Sequence, residues 1–255
     1  MHLAVILSEL KLTAMSSSPL TKDHLMSRFL PFAALLWMLA LAAPLLIAEE
    51  KDGFQSLFDG KELAGWSGND KFWSVKDGCI TGQTTKENPT SGNTFLIWKD
   101  QVGDFELRLK FKIVGGNSGI QYRSSDKGNH VVHGYQADID SGDQYIGILY
   151  EEGRRGILAE RGNKVEISEK GEKKVVGKTE DSAAILKDIK KEDWNEYVVI
   201  AKGNHLIQKI NGHTTVDVTD NEKEKSTASG ILALQLHAGP PMKVQFKDIE
   251  IKKLK

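Results

Sequence analysis

The strict alternation of apolar and charged residues in segment 105–113 constrains the fold of this chain more than any other sequence feature. Its apolar positions are Phe105, Leu107, Leu109, Phe111 and Ile113, and every residue between them is charged. Successive side chains of a strand point to opposite faces, so this segment predicts a strand with one buried face and one solvated face.

Similar strand-like segments follow at short intervals along the chain. In segment 72–82, Trp73 and Val75 alternate with polar residues before Asp77-Gly78, a pair typical of tight hairpin turns. The later strand-like segments and turn signals are 197–218, 230–239, 242–254, Gly203-Asn204 and Asn211-Gly212. Strands separated by turns every eight to twelve residues or so predict an antiparallel sandwich or jelly roll.

Two segments depart from this strand pattern. Only residues 182–189 have a helical pattern, and the segment is short. The charged stretch 167–181 is typical of a surface hairpin or loop.

Composition excludes several classes of function. The chain has 255 residues, 40% of them hydrophobic, which predicts one globular domain, placed at 49–255. Its 34 Lys and Arg against 35 Asp and Glu provide no electrostatic footprint for nucleic acid or an anionic membrane, so we expect a neutral ligand. The single cysteine, Cys79, excludes an intramolecular disulfide and is expected to be buried and inert.

Residues 1–48 are predicted to be an N-terminal extension and signal peptide. Arg28 precedes an apolar run, 29–47, that ends in small residues, as in export signals. Cleavage is expected after Ala42 or Ala48, although the run approaches the length of an uncleaved membrane anchor. Export to the periplasm or the cell surface is therefore expected.

The start of this extension is open to two interpretations. Met26 is a second plausible start, so residues 1–25 are either an extended signal or the product of a misassigned start codon. Pro31 and Pro44 favour cleavage over anchoring. The lack of a cysteine pair in an exported chain fits a Gram-negative envelope.

Three strand-like segments carry unusual polar residues on the face opposite their apolar residues. In NSGIQYRS, at 117–124, Ile120 and Tyr122 alternate with Gln121 and Arg123. The outward positions of YQADID and LQLHAG are Gln136, Asp138, Asp140, Gln235 and His237. Amide and guanidinium groups offer fixed hydrogen-bonding geometry to sugar hydroxyls, and a concave sheet would gather them into one groove. The alternative is that they are unrelated surface residues.

A tyrosine and several charged residues follow these strands. Tyr150-Glu151-Glu152 precedes Arg154-Arg155, and these charges could simply pair as surface ions. Since they continue a polar outer face, we interpret Tyr150 and Arg155 as further substrate-binding residues.

The order of motifs resembles a known family. These motifs are FQSLFDGKELAGW, WSVKDGCITG, SGIQYRS, HGYQADID, GILYEEGRRGIL, DWNEYVVIAKGN, INGH and LQLHAG with VQFKDIEIKKL. They resemble the 3-keto-disaccharide hydrolase family over nearly all of 54–254. This resemblance implies an all-β, concanavalin A-like lectin/glucanase jelly roll of two antiparallel sheets, exported, and acting on glycosides oxidised at C3. Non-catalytic carbohydrate-binding modules of the same fold are the alternative.

Cleavage of such a substrate needs particular groups. A ketone at C3 acidifies the C2 hydrogen, so the reaction needs a base, a donor to the enolate oxygen and an acid for the leaving group. We expect Asp138, Glu151 or His237 as base or acid, and we leave their ranking open. Arg123 and Gln121 are the expected enolate donors, with Gln136, Tyr150, Arg155 and Gln235 binding substrate.

No cofactor is expected, and a divalent metal stays open. His130 and His133 could contact substrate or metal, and DIDSGD at 138–143 is only weakly similar to a calcium loop. The expected partners are an oxidised carbohydrate and the sugar 3-oxidoreductase that supplies it. A binding module would present aromatic platforms, and a structural envelope protein would have no groove. The polar outward positions favour catalysis.

Overall fold

The computed structural model describes residues 52–255, which form two packed β-sheets and one short helix. The predicted signal peptide lies outside these described residues. The strands and the helix are β1 (Gln55–Ser56), β2 (Trp66–Ser67), β3 (Trp73–Lys76), β4 (Cys79–Gln83), β5 (Thr94–Val102), β6 (Phe105–Val114), β7 (Asn117–Asp126), β8 (Val132–Asp140), β9 (Leu149–Glu152), β10 (Gly156–Ala159), β11 (Asn163–Ile167), β12 (Lys173–Lys178), α1 (Ser182–Lys187), β13 (Asn195–Lys202), β14 (His205–Ile210), β15 (His213–Asp220), β16 (Gly230–Leu236) and β17 (Lys243–Lys253).

The strands are divided between a ten-stranded and a seven-stranded sheet. The first has the order β12-β11-β15-β14-β13-β6-β17-β4-β3, with β1 beside β17, and the second has the order β10-β9-β8-β7-β16-β5-β2. All strand pairs are antiparallel except β11 and β15, which run parallel. The predicted all-β sandwich of two sheets is confirmed, with this one parallel pair as an addition.

Strand β6 shows how the sequence forms the core. It lies between β13 and β17, and its residues alternate between buried and more exposed positions as predicted. Phe105 and Phe111 are fully buried, and they belong to a cluster that includes Tyr122 and Tyr135 of the seven-stranded sheet. The core therefore fills the space between the two sheets.

Two predicted hairpin turns are present. Asp77 and Gly78 have φ values of 52° and 71°, and Asn211 and Gly212 have φ values of 50° and 88°. Positive φ at both central residues matches the twist of the flanking strands. The turns therefore join β3 to β4 and β14 to β15.

The remaining local predictions are mostly confirmed. Helix α1 is capped by Asp181, whose side chain accepts a hydrogen bond from the Ala184 amide, and it buries Ile185. It is slightly shorter than predicted. The charged stretch contains exposed β12, and Cys79 is buried. No helix within residues 52–255 is long and apolar enough to cross a membrane.

Candidate functional site

A cleft of about 850 Å³ lies on the outer face of the seven-stranded sheet. Its floor includes Gln136 and Asp138 of β8, whose neighbours Ala137 and Ile139 point into the core. Beside them lie residues of β9 and β10, the segment 140–148, and the turn that follows β16. The titratable and amide side chains that line it are Asn93, Asn117, Gln136, Asp138, Asp140, Asp143, Gln144, Tyr145, Tyr150, Glu152 and His237.

Strand register explains why distant segments meet at this cleft. Gln121 of β7 pairs with Gln136 of β8, Gln136 pairs with Tyr150 of β9, and Tyr150 pairs with Ile157 of β10. Directly paired residues point to the same side of a sheet. The predicted grouping of Gln121, Gln136 and Tyr150 on one face therefore agrees with the structure.

A directional chain of hydrogen bonds runs beneath the cleft. The Ser124 hydroxyl donates to Gln121 Oε1 (2.8 Å), and Gln121 Nε2 donates to Gln136 Oε1 (2.8 Å). Gln136 Nε2 then donates to Asp138 Oδ1 (2.6 Å). We call Ser124, Gln121 and Gln136 the amide chain. Because Gln136 Oε1 is occupied by Gln121, its amide nitrogen is held toward Asp138.

Asp138 is the most perturbed carboxyl group of the cleft. It is 4% exposed, and its Oδ2 accepts a hydrogen bond from Asn117 Nδ2 (2.8 Å). Burial raises the pKa of Asp138 to about 7, and the hydrogen bonds from Asn117 and Gln136 only partly oppose this effect. A carboxyl group with such a pKa can exchange protons near neutrality.

Glu152 is another carboxylate that lines the cleft. Its oxygens accept hydrogen bonds from Gln235 Nε2 (3.0 Å) and Asn93 Nδ2 (3.3 Å). No role was predicted from the sequence for Glu152, Asn93 or Asn117. Strand alternation could have identified Glu152, which shares a face with Tyr150, and Asn117, which shares one with Gln121. No comparable signal marks Asn93.

His237 lines the cleft beside Asn93. Its Nδ1 lies 2.5 Å from the Ala238 carbonyl oxygen. Because a carbonyl can only accept, Nδ1 carries a proton, and Nε2 is the ring nitrogen left to contact a ligand.

Gln235 lies below the exposed part of the cleft. It is fully buried, and its amide joins Glu152 to Gln136, with Gln136 Nε2 at 3.4 Å from Gln235 Oε1. Gln235 and Gln121 therefore support the groups that line the cleft and do not themselves line it.

Two tyrosines line the cleft: Tyr150, which was predicted to bind substrate, and Tyr145, which was not predicted. Burial, together with the nearby charges of Glu152 and Asp138, raises the pKa of Tyr150. Tyr145 is 40% exposed. The cleft therefore presents aromatic as well as polar side chains.

The segment 140–148, which we call the wall loop, is tied to the ten-stranded side of the molecule. Arg161 donates to the carbonyl oxygens of Asp143 (2.8 Å) and Ile146, and Lys191 pairs with Asp143 (3.0 Å). Within the loop, the Tyr145 amide donates to Asp140 Oδ2 (3.2 Å). Asp140 thus stabilises the loop itself.

The candidate metal contacts do not converge. His130 and His133 are not among the residues that line the cleft. Across residues 52–255, no three His, Cys, Asp or Glu side chains are grouped so that they could hold a metal ion.

Arg123 does not face the cleft, so its predicted outward position is wrong. Its φ is 47° and the β7–β8 register shifts between Tyr122 and Ser125, which marks a bulge. The guanidinium is buried, donates to the Gly103 and Gly203 carbonyls, and pairs with Asp104 (2.7 Å). Its donors are therefore used within the protein.

Glu151 and Arg155 also lie outside the cleft, which corrects their predicted roles. Glu151 is fully buried and pairs with Arg155 and Arg154. Arg155 also pairs with Asp220 (2.7 Å) and Glu222 (2.8 Å). Glu151 pairs in register with the core residue Tyr135, so it faces the other sheet. Glu152, not Glu151, is the glutamate of the cleft.

Gly119 makes room for the amide chain. It pairs with Asp138, and a Cβ atom placed on it would clash with Cδ and Cγ of Gln136. The missing side chain therefore lets Gln136 lie flat on the sheet.

Known proteins are similar to this chain in both sequence and fold. The sequence model of a family described as 3-keto-α-glucoside-1,2-lyase-like matches residues 53–252. The 3-keto-disaccharide hydrolase of Bacteroides thetaiotaomicron is 36% identical over 85 residues, which are 30% of this chain and 29% of that protein. The chain thus aligns with less than a third of that relative.

Two solved structures from Parabacteroides distasonis, both candidate glycosyl hydrolases, have TM-scores of 0.53. The first is 19% identical, and the match covers 79% of this chain and 99% of that one. The second is 18% identical, and the match covers 80% of this chain and 95% of that one. These similarities support the sandwich fold. The family match covers most of the sequence and confirms the predicted resemblance, so the chain belongs to the 3-keto-α-glucoside-1,2-lyase-like domain family.

Proposed function

We propose that this protein cleaves glycosides whose sugar ring carries a ketone at C3. The observation that carries the proposal is Asp138, a buried carboxyl group with a pKa of about 7 on the floor of an open cleft. Such a group can remove a proton from an acidic carbon near neutral pH. The family assignment supports a carbohydrate as the ligand.

The ketone determines the reaction. It acidifies the hydrogen on C2, so a base can take that proton and leave an enolate. The enolate then expels the aglycone from C1, which forms a C1–C2 double bond, and the leaving oxygen takes up a proton. Water can afterwards add across this double bond, with hydroxyl at C1 and hydrogen at C2.

We assign roles to the side chains of the cleft on this basis. Asp138 is the base, held by the amide chain and Asn117. Glu152 and His237 are the candidates for the acid that protonates the leaving oxygen, because both line the cleft. The side-chain amides of Asn93 and Asn117 are the available donors for the enolate oxygen, in place of Arg123 and Gln121.

The cellular setting forms part of the proposal. The apolar run 29–47 supports export, and we expect a mature chain that begins near Glu49. The N-terminal mass of the mature protein would test this. A ketone at C3 comes from oxidation of the C3 hydroxyl, so an oxidoreductase that acts on sugars must supply the substrate.

The decisive experiment compares a 3-keto-glucoside with its unoxidised parent in heavy water. We expect turnover of the 3-keto-glucoside only. The hydrated product should carry deuterium at C2, because the hydrogen added to C2 comes from the solvent. Parallel reactions with a chelator test metal dependence. Efficient hydrolysis of the parent, or a hydrated product without deuterium at C2, would overturn the mechanism.

A non-catalytic carbohydrate-binding module is the second candidate function. The exposed ring of Tyr145 favours it, because aromatic side chains offer platforms to sugars. A binding module would bind the unoxidised oligosaccharide and leave the 3-keto-glucoside uncleaved. The same samples, analysed by calorimetry and by product formation, separate the two functions.

A further inference from the structure

We infer that His213, with Glu180 and Asp188, forms a pH-dependent clamp that holds α1, and through it the wall loop of the cleft, while the imidazole is protonated. The three side chains lie outside the cleft. The clamp controls how firmly one wall of the cleft is held, and it does not depend on the reaction that takes place there.

The His213 ring lies between two carboxylates. Its Nδ1 is 2.6 Å from Glu180 Oε2, and its Nε2 is 2.7 Å from Asp188 Oδ2. Ionised carboxylates only accept hydrogen bonds, so both ring nitrogens must carry a proton for both bonds to form. That state of the ring is the imidazolium cation. A neutral imidazole can donate only one of the two bonds.

The two carboxylates flank α1. Glu180 lies two residues before the helix, and Asp188 is its C-cap residue. Because His213 begins β15, the charged ring joins both ends of the helix to the ten-stranded sheet. Two further contacts do not depend on this ring: Ile185 is fully buried, and Asn211 Nδ2 donates to the Asp188 carbonyl oxygen (2.7 Å). Loss of a proton from His213 therefore loosens the ends of α1 without releasing the helix.

The charges around His213 favour its protonated form. The hydrogen bonds to Glu180 and then to Asp188 raise the pKa of His213 above its ordinary value of 6.5. The same contact lowers the pKa of Glu180. In β14, the register partner of His213 is the uncharged Ile210. The other charged side chains of the surrounding elements form no hydrogen bond with the ring within residues 52–255: Asp181, Lys187 and Lys209.

The direction of this shift gives the sign of the pH dependence. Because the pKa of His213 is higher in the folded protein, the clamp is complete below about pH 6.5 and is lost as pH rises through the folded pKa. The three side chains are partly or largely exposed, so the accompanying change in global stability is small. We therefore expect local loosening of α1 and the wall loop, without unfolding of the sandwich.

The segment around α1 also holds the wall loop. Arg161 donates to the Ser182 hydroxyl at the start of α1 (3.1 Å). The same guanidinium donates to the carbonyl oxygens of Asp143 (2.8 Å) and Ile146 in the wall loop. Just beyond α1, Lys191 pairs with Asp143 (3.0 Å). Movement of the helix ends therefore changes where these two cations meet the loop.

The hairpin that carries His213 contacts the wall loop directly as well. A Cβ atom placed on Gly147 would lie 3.0 Å from Thr215 Cγ2 and 3.3 Å from Ile210 Cδ1. Ile210 is the register partner of His213, so the loop packs beside the clamp. A change at His213 thus reaches the cleft wall both through α1 and through this packing.

Hydrogen exchange at about pH 6 and about pH 8.5 tests the clamp without any substrate. The probes are the hydrogen-bonded amides of Ile185 in α1 and Gly147 in the wall loop. After correction for the intrinsic pH dependence of exchange, both protection factors should fall about twofold to fivefold at the higher pH, the range that exposed ion pairs give. An NMR titration should show that the His213 ring loses its proton above pH 6.5.

Two variants test the roles of the three side chains. His213→Gln should show low protection at both probes and at both pH values, because glutamine never carries the charge. In Asp188→Asn one carboxylate is lost, so the pKa of His213 should move back toward 6.5. The pH at which protection falls should move with it. A purely structural role of the ring would leave that midpoint unchanged.

His205→Gln provides the matched control. His205 also bonds to a carboxylate of the ten-stranded sheet, Asp217 (2.7 Å), but it lies at the opposite end of β14. Its replacement should leave the pH dependence of both probes as in wild type.

Four results would overturn the clamp. They are a His213 titration at or below pH 6.5, wild-type protection that does not change with pH, loosening of Ile185 with Gly147 unaffected, and loss of the pH dependence in His205→Gln. All of these measurements are made on the protein alone, so a failure of the proposed reaction would leave their outcome unchanged.

Discussion

Asp138 combines a functional role with a cost to stability. Burial holds the pKa of Asp138 near 7, whereas the unfolded chain releases this proton near its ordinary value of 3.8. Well below pH 3.8 both states are protonated. As pH rises toward 7 the unfolded state loses the proton first, so stability falls over this range and levels off above it.

We therefore expect Asp138→Asn to remove activity and to flatten this pH dependence. Relative to wild type, the free energy of unfolding of the variant should increase between pH 5 and pH 8 by roughly 2 kcal/mol. Urea unfolding of both proteins at several pH values measures this difference in the free energy of unfolding. A constant difference across this range would mean that Asp138 titrates as an ordinary exposed carboxyl group.

Gln121 acts on the base from a distance, as a positioning residue. In Gln121→Met the Gln136 amide loses the donor that fixes its orientation and can turn its oxygen toward Asp138. The pKa of Asp138 should then rise further, because a hydrogen bond to its ionised form is lost. We expect the acidic limb of the kcat profile to move to higher pH, with KM little changed.

Gln245→Met is the control for this prediction. Gln245 is also buried and donates to Thr81, but it lies on β17 of the other sheet. Its replacement should leave the pH profile unchanged. A lower melting temperature for Gln121→Met with an unshifted profile would assign Gln121 a purely structural role.

At the scale of the strand, alternation predicts orientation wherever the ladder is regular. In β6 every predicted core residue is buried, since both neighbouring strands pair with it along most of its length. In β7 the same reasoning holds for Gln121 and fails two residues later at Arg123. The bulge there depends on long-range pairing with β8, which the local sequence does not show.

Phe111→Ala tests the regular part of the sandwich. Phe111 is fully buried and packs against Tyr197, with ring centroids 5.8 Å apart. The cavity left by its removal should lower the free energy of unfolding by about 3 to 5 kcal/mol. Lys110→Ala, at a neighbouring position with an exposed side chain, should change stability by less than about 1 kcal/mol. Chemical denaturation of both variants decides whether β6 faces the core as described.

For the whole molecule, two arginines join the sheets. Arg155 links Glu151 of the seven-stranded sheet to Asp220 of the ten-stranded one, and Arg123 reaches the Gly203 carbonyl between β13 and β14. The sequence could not separate these roles from sugar binding, because a guanidinium offers the same donors to a carboxylate, a carbonyl or a hydroxyl.

The sandwich and much of the cleft floor could be predicted from the sequence, because side chains along a strand alternate with a period of two residues. The polar face of β8 and Tyr150 of β9 follow from such patterns, because each lies in a paired strand, and His237 continues the alternation one residue beyond the end of β16. Asn93 and Tyr145 lie outside regular strands, so only the folded chain shows that they reach the cleft. The same alternation places Glu152 on the face of Tyr150, but no role was predicted for it.

Gly119 has a consequence for sorting related sequences into active and inactive ones. An alanine at this position would leave every carboxylate, amide and imidazole of the cleft in the chain, yet its methyl group would occupy the space of the Gln136 side chain. Asp138 would be present, but Gln136 would no longer hold its carboxyl group in the same orientation. A comparison of polar residues alone would class such a sequence as active. A glycine at this position is therefore as diagnostic here as any titratable side chain.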